Sequence, residues 1–276
     1  MDALDAAAPG SDSPGSGRPV AAAFFDLDNT VVRGAALFHL AVGLWRRRFF
    51  THRAIAHGAW HQLRFRVSGN EHSAGAETAR SRLLTLIRGY PVADLREIVD
   101  EIVLGIAADN VWPGTVELAR GHVAAGEPVW LVTAAPVEVA TTLAARLGLT
   151  GALGTVAESV DGVYTGRLIG DVLHGPAKAA AVARLAAEQG LDLARCSAYS
   201  DSSHDVPLLS MVGHANAINP DRALRLLARS RGWSVRDYRR GRKAAWLGVQ
   251  VAGGIAVLVG AVVAGSAVAD VVRRPR

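Results

Sequence analysis

The 276-residue chain is short of several things, and each shortage excludes something. It has one cysteine, Cys196, so no intramolecular disulfide framework holds it, and a reducing compartment suits it. Lysine is almost absent beside arginine: of 30 basic residues only Lys178 and Lys243 are lysines, so a lysine in the globular part needs a reason. No nucleic-acid-binding motif accompanies the net charge of +5, which sits in clusters at Arg46 to Arg48, Arg236 to Lys243 and Arg273 to Arg276. These clusters read as solvated faces or membrane flanks, and no nucleic-acid partner is expected. Residues 1–19 lack the basic and apolar regions of a secretory signal; small, polar and rich in Pro, Gly and Ser, they read as a disordered leader. There is no internal repeat.

What is present is half apolar, enough for one α/β core with an inserted subdomain. A strand is expected at about 20–26, then a mostly helical stretch over 34–110, with helical periodicity in "RSRLLTLIRGY" and "VADLREIVDEIVLGI". "PVWLVTAAP" reads as a buried strand, "VEVATTLAARLG" as a helix, and "TVAESVDGVYTGRLIG" as a hairpin turning at Asp161-Gly162. A helix near Lys178, a strand "CSAYSDS" and a strand "ANAIN" follow. Strands alternating with helices predict a parallel sheet with crossover helices. The expected division is a core at 20–33 and 111–232, a helical cap at 34–110, a basic juxtamembrane linker at 233–243 and a basic tail at 270–276.

Between the last two lies a run, 244–269, with no charged residue. As a helix it would be about 39 Å long, against a hydrocarbon core of about 30 Å. The expectation is a transmembrane helix, hence a single-pass cell-membrane protein with its globular part cytoplasmic. Within 34–110, "ALFHLAVGLWRRRFF" is too short to span, and either packs on the core or touches a membrane surface. His39, His52, His57 and His61 show no metal-ligand spacing and read as surface or packing residues.

Four short patterns carry chemistry, each at or just after a predicted strand end, where α/β sheets place their sites. Asp26, Asp28 and Thr30 form D-x-D-x-T after an apolar run. Buried strands do not end in paired carboxylates without partners for them. Thr133 offers a hydroxyl followed by backbone N–H groups, suited to phosphate oxygens. Lys178 in "GPAK" is the lone lysine of the globular part, and Asp201 and Asp205 in "SDSSHD" suit Mg²⁺. A nucleophile, a proton shuttle, a cation site and phosphate donors together are what phosphoryl transfer through a carboxylate needs.

The order "FFDLDNT", "LVTAAP", "GPAK", "YSDSSHDVPLL" resembles motifs one to four of the haloacid dehalogenase superfamily, closest to the subclass IB phosphatases that include phosphoserine phosphatase. The resemblance covers about residues 20–232. It implies a Rossmann-like core with a parallel sheet and a helical cap inserted after the first strand. It also implies a Mg²⁺-dependent phosphomonoester hydrolase with Asp26 as nucleophile and Asp28 as acid and base. Thr133, the N–H of Ala134 and Lys178 would bind phosphate. The Asp26 carboxylate, the Asp28 carbonyl and Asp201 would hold Mg²⁺, with Asp205 in support.

The chain departs from the phosphoserine enzymes at three places. Val31 to Ala36 hold no acid where those enzymes place a substrate-binding glutamate, "TAA" replaces Ser-Gly-Gly, and His204 replaces Asn. A substrate ammonium buried without a counter-charge binds poorly. The expected substrate is therefore a small metabolite or lipid head-group phosphate, the alternatives being phosphoserine itself or a non-catalytic, membrane-tethered binding module.

Overall fold

The structure, a computed structural model, describes residues 20–47, 84 and 87–241. Its strands are β1 (Ala23–Phe25), β2 (Val129–Pro136), β3 (Gly151–Val160), β4 (Val163–Ile169), β5 (Ser197–Ser200), β6 (His214–Ile218) and β7 (Ser234–Arg236). Its helices are α1 (Ala36–Arg46), α2 (Val92–Asp109), α3 (Pro113–Ala124), α4 (Val137–Leu147), α5 (Pro176–Gln189), α6 (Val206–Met211) and α7 (Arg222–Ser230). The strands form one sheet in the order β4-β3-β2-β1-β5-β6-β7. Every pair is parallel except β3–β4.

β1 has only three residues, all buried, because both faces of the sheet are covered. Successive side chains point to opposite faces. Phe25 joins Leu131 in a core completed by Leu40 of α1, Val103 of α2, Val116 of α3 and Leu143 of α4. Phe24 joins Val132 and Ala198 in the opposite core, with Val182 of α5, Leu209 of α6 and Leu224 of α7. The result is a three-layer α/β sandwich. The chain runs outward from β1 to β2 and β3 on one side, and to β5, β6 and β7 on the other. The crevice at the carboxyl end of β1 is therefore the switch point of the sheet.

The expected hairpin is β3–β4. Asp161 (φ 50°) and Gly162 (φ 75°) are its two central residues, and positive φ at both is the type I′ geometry that fits strand twist. Of the expected cap, α1 and α2 are described, and they approach closely at Gly43: a Cβ there would stand 2.5 Å from Ile102.

Two features differ from the sequence reading. Residues 233–243 hold β7, which pairs with β6, and Tyr238, whose N–H donates to Asn219 Oδ1 at 2.8 Å. The sheet thus continues into the stretch expected to be a juxtamembrane linker, because Val235 and Trp233 pack on the core while Arg236 and Arg239 are exposed. Secondly, no helix among the described residues is long and apolar enough to cross a membrane. This corrects the expected transmembrane helix and the cell-membrane localisation drawn from it. The longest described helix, α2, carries Asp94, Arg96, Glu97, Asp100, Glu101 and Asp109, leaving an apolar stripe that packs on the core. The run at 244–269, the leader, His52, His57, His61 and the tail lie outside the described residues.

Candidate active site

Asp26 follows β1 directly, and its N–H donates to the Tyr199 carbonyl of β5 at 2.8 Å, so strand pairing carries it to the carboxyl end of the sheet. The residue is 4% exposed. Thr30 Oγ1 donates to one carboxylate oxygen at 3.2 Å, and Lys178 Nζ forms an ion pair with the other. Lys178 reaches in from the first turn of α5, which starts with Pro176 at a position where no N–H is missed. The same ammonium pairs with Asp205 Oδ2 at 2.8 Å, and Ser200 Oγ donates to that oxygen at 2.8 Å. Lys178 and Asp205 are buried like Asp26. One lysine thus joins the ends of two strands across the switch point.

Asp28 lies two residues beyond Asp26. Its Oδ1 accepts the N–H of Ala36, the first residue of α1, at 2.7 Å, a carboxylate at the positive end of a helix. Asp201 follows β5, and its carbonyl accepts the N–H of Asp221 at 2.8 Å.

The charges do not balance. Burial above all, with the nearby carboxylates of Asp26 and Asp205, pushes the Asp201 carboxyl up to about 8. Burial likewise pushes Asp26 up to about 7, Lys178 opposing and Asp205 and Asp28 reinforcing the shift. Burial works against the Lys178 ammonium as well, yet the carboxylates of Asp26 and Asp205 hold it above the usual lysine range. Four carboxylates around one ammonium leave an excess of negative charge that suits a divalent cation. Among the described residues no group of three or more His, Cys, Asp or Glu side chains has metal-binding geometry. The expected ligand set does not need one: two carboxylates and a backbone carbonyl leave positions for water and phosphate, as Mg²⁺ prefers. The residues present fit such an ion.

Thr133 is buried in β2, and its hydroxyl accepts the N–H of Ala135 at 3.0 Å. The β2–β3 register shifts between Val132 and Pro136, and β1 pairs with β2 no further than Leu131. Thr133 and Ala134 therefore sit where the strand leaves its regular ladder. Asp26, Asp28, Lys178, Asp201 and Asp205 are brought together by contact or charge; Thr133 and Ala134 lie at the adjoining strand end.

The sequence reading gave no role to Asp221 or Asn219. Asp221 caps α7, accepting the Leu224 N–H at 2.7 Å, and also accepts the Ser203 N–H at 2.7 Å, which pins the loop between Asp201 and Asp205. Burial opposes its charge, but these backbone donors hold its carboxyl below the usual range. An Asp just before an amphipathic run is an N-cap signal, and it was legible here. Asn219 Nδ2 donates to the Asn29 carbonyl at 2.9 Å, tying the loop between Asp28 and Thr30 to the carboxyl end of β6.

The haloacid dehalogenase-like hydrolase profile matches residues 23–210. The chain is 52% identical over 258 residues to phosphoserine phosphatase SerB1 of Mycobacterium tuberculosis H37Rv, covering 94% of this chain and 84% of that protein. A solved structure from Bordetella pertussis Tohama I is 31% identical with a TM-score of 0.69, covering 80% of this chain and 99% of the other. A phosphoserine phosphatase solved with a phospho-aspartyl intermediate analogue shares the fold at 18% identity, with a TM-score of 0.52 over 80% of this chain and 95% of its own. The chain belongs to the haloacid dehalogenase-like hydrolases, and it is a phosphatase of that family.

Proposed function

We propose that the chain hydrolyses phosphate monoesters through a phosphoaspartate on Asp26. The observation that carries this reading is the buried ion pairing of Lys178 with both Asp26 and Asp205 at the switch point of the sheet. Lys178 holds the Asp26 carboxylate in place and presents positive charge to the phosphoryl oxygens. An Asp26 oxygen bonds to phosphorus as the ester oxygen leaves, and Asp28 gives that oxygen its proton. Asp28, now ionised, takes a proton from water. The hydroxide so formed bonds to phosphorus, the bond to Asp26 breaks, and inorganic phosphate departs. Thr133 and the Ala134 N–H are assigned to the phosphate oxygens.

The Asp26 and Asp201 carboxylates and the Asp28 carbonyl would hold Mg²⁺, with Asp205 supporting the loop. When bound, the ion supplies positive charge that keeps Asp26 and Asp201 ionised and offsets charge on the phosphoryl group. Turnover of an aryl phosphate with Mg²⁺, lost in both Asp26→Asn and Asp28→Asn, tests the reading. Full activity in a folded Asp26→Asn protein would refute it.

For the substrate, a second reading is phosphoserine, favoured by the name of the 52%-identical relative. The missing acid between Val31 and Ala36 opposes it. Comparing phosphoserine with other small-metabolite and lipid head-group phosphates decides between them.

A further inference from the structure

A cavity of about 100 Å³ lies between α1, α2 and the β3–β4 hairpin, and Ala134, the residue assigned to the phosphate, is part of its wall. Leu37, Leu40 and Leu44 of α1, Leu95 and Val99 of α2, and Leu168 of β4 supply much of the rest. Among its described lining residues only Glu138, Thr155 and Tyr164 have polar side chains, and each is already engaged within the protein. Tyr164 donates its hydroxyl to Glu138 Oε1 at 3.0 Å. Thr155 donates to the Ala134 carbonyl at 2.9 Å and accepts the Leu173 N–H at 3.1 Å.

An amino-acid phosphate would bring both an ammonium and a carboxylate into this space. Glu138 could partner the ammonium, but no described lining residue offers a cation to the carboxylate, and burying that charge beside Glu138 is costly. An apolar chain meets no such cost. We infer that this cavity receives the leaving group of the substrate and selects phosphate monoesters whose organic part is apolar over those of amino acids. The inference rests on the phosphatase reading above, because continuity with Ala134 is what makes the cavity a leaving-group site. A cavity of about 150 Å³ takes a benzene ring, so about 100 Å³ takes a chain of roughly four carbons.

The test compares methyl phosphate, n-butyl phosphate and phosphoserine as substrates of the full chain with Mg²⁺. Each further buried methylene is worth about fourfold, so n-butyl phosphate should exceed methyl phosphate about fiftyfold in kcat/KM, with phosphoserine at or below methyl phosphate. Ala157→Phe, which places a ring in the cavity, should cut the butyl-to-methyl ratio at least tenfold. Leu168→Ala, a milder change, should move the optimum to longer chains. Equal rates for the two alkyl esters, unmoved by either variant, or phosphoserine as the best substrate, would overturn the inference and leave the phosphatase reading standing. Binding of the uncleavable n-butylphosphonate and methylphosphonate separates the two failures. Tighter binding of the butyl compound by a protein that hydrolyses none of the esters would keep the cavity and refute the phosphatase reading.

Discussion

Lys178 and Asp26 stand 152 residues apart in the chain and form a buried ion pair at the carboxyl end of β1. The pair exists because Lys178 lies in the first turn of α5, from which a single long side chain reaches Asp26 and Asp205 together. A buried charge deprived of its partner is costly, so neither partner tolerates exchange.

Lys178→Arg should therefore behave as a drastic change. The compact ammonium serves two carboxylates at once, while the planar guanidinium needs more room and a different approach. Steady-state kinetics should show kcat reduced on the order of a hundredfold, the usual cost of one transition-state donor. Unchanged kcat would mean that the pair is only structural.

Asp221 tests the support of the Asp201 loop. Asp221→Ala removes the cap of α7 and the acceptor for Ser203 N–H, which should cost about 1 kcal/mol, or roughly 2–4 °C in melting temperature. It should also raise the Mg²⁺ concentration needed for half-maximal activity. Asp221→Asn keeps a capping oxygen and should restore most of both. A melting change with no change in Mg²⁺ dependence would confine Asp221 to folding.

Two glycines give opposite expectations. A Cβ at Gly213 would stand 1.8 Å from the Ala194 carbonyl oxygen, a backbone atom with no room to yield. Gly213→Ala should cost about 1–3 kcal/mol or more by overpacking. Gly105, in α2, meets nothing within 4 Å, and Gly105→Ala should stabilise by about 0.5–1 kcal/mol through helix propensity. Thermal melts of both variants check the pair.

Asp237 sets a pH dependence. Burial opposes its charge, but hydrogen bonds from Arg239 and Arg225 prevail and hold its carboxyl below the usual carboxylate range. A depressed folded-state value means the unfolded chain binds the proton first as pH falls. Its contribution is complete above about pH 4 and shrinks below it. Asp237→Asn should lower the melting temperature at pH 7 and make progressively less difference as pH falls below 4. An equal loss at both ends would assign the effect to shape rather than charge.

Much of the site was legible because its chemistry needs rare arrangements. Two carboxylates after an apolar strand, and a lone lysine in an arginine-rich core, demand partners, and the structure joins Asp26, Lys178 and Asp205. The cap at Asp221 is legible in the sequence, but its hold on Ser203, like the tie from Asn219 to Asn29, appears only once the fold brings those residues together. β7 escaped because Ser-Val-Arg is too short to show alternation, and the flanking arginines suggested a membrane border. The expected membrane helix rested on length, missing charge and the arginine clusters on either side, with no partner elsewhere in the chain to test it.

The phosphoaspartate on Asp26 is tested most directly by trapping it. Protein quenched in acid during turnover, reduced with borohydride and digested should contain homoserine at position 26, since the acyl phosphate is reduced and a free carboxylate is not. Asp28→Asn, which lacks the base for the second step, should keep whatever label forms for longer. Homoserine at position 26 in the active protein, and none in Asp26→Asn, is the expected result. Sustained turnover with no modified residue, or with the modification elsewhere, would contradict it.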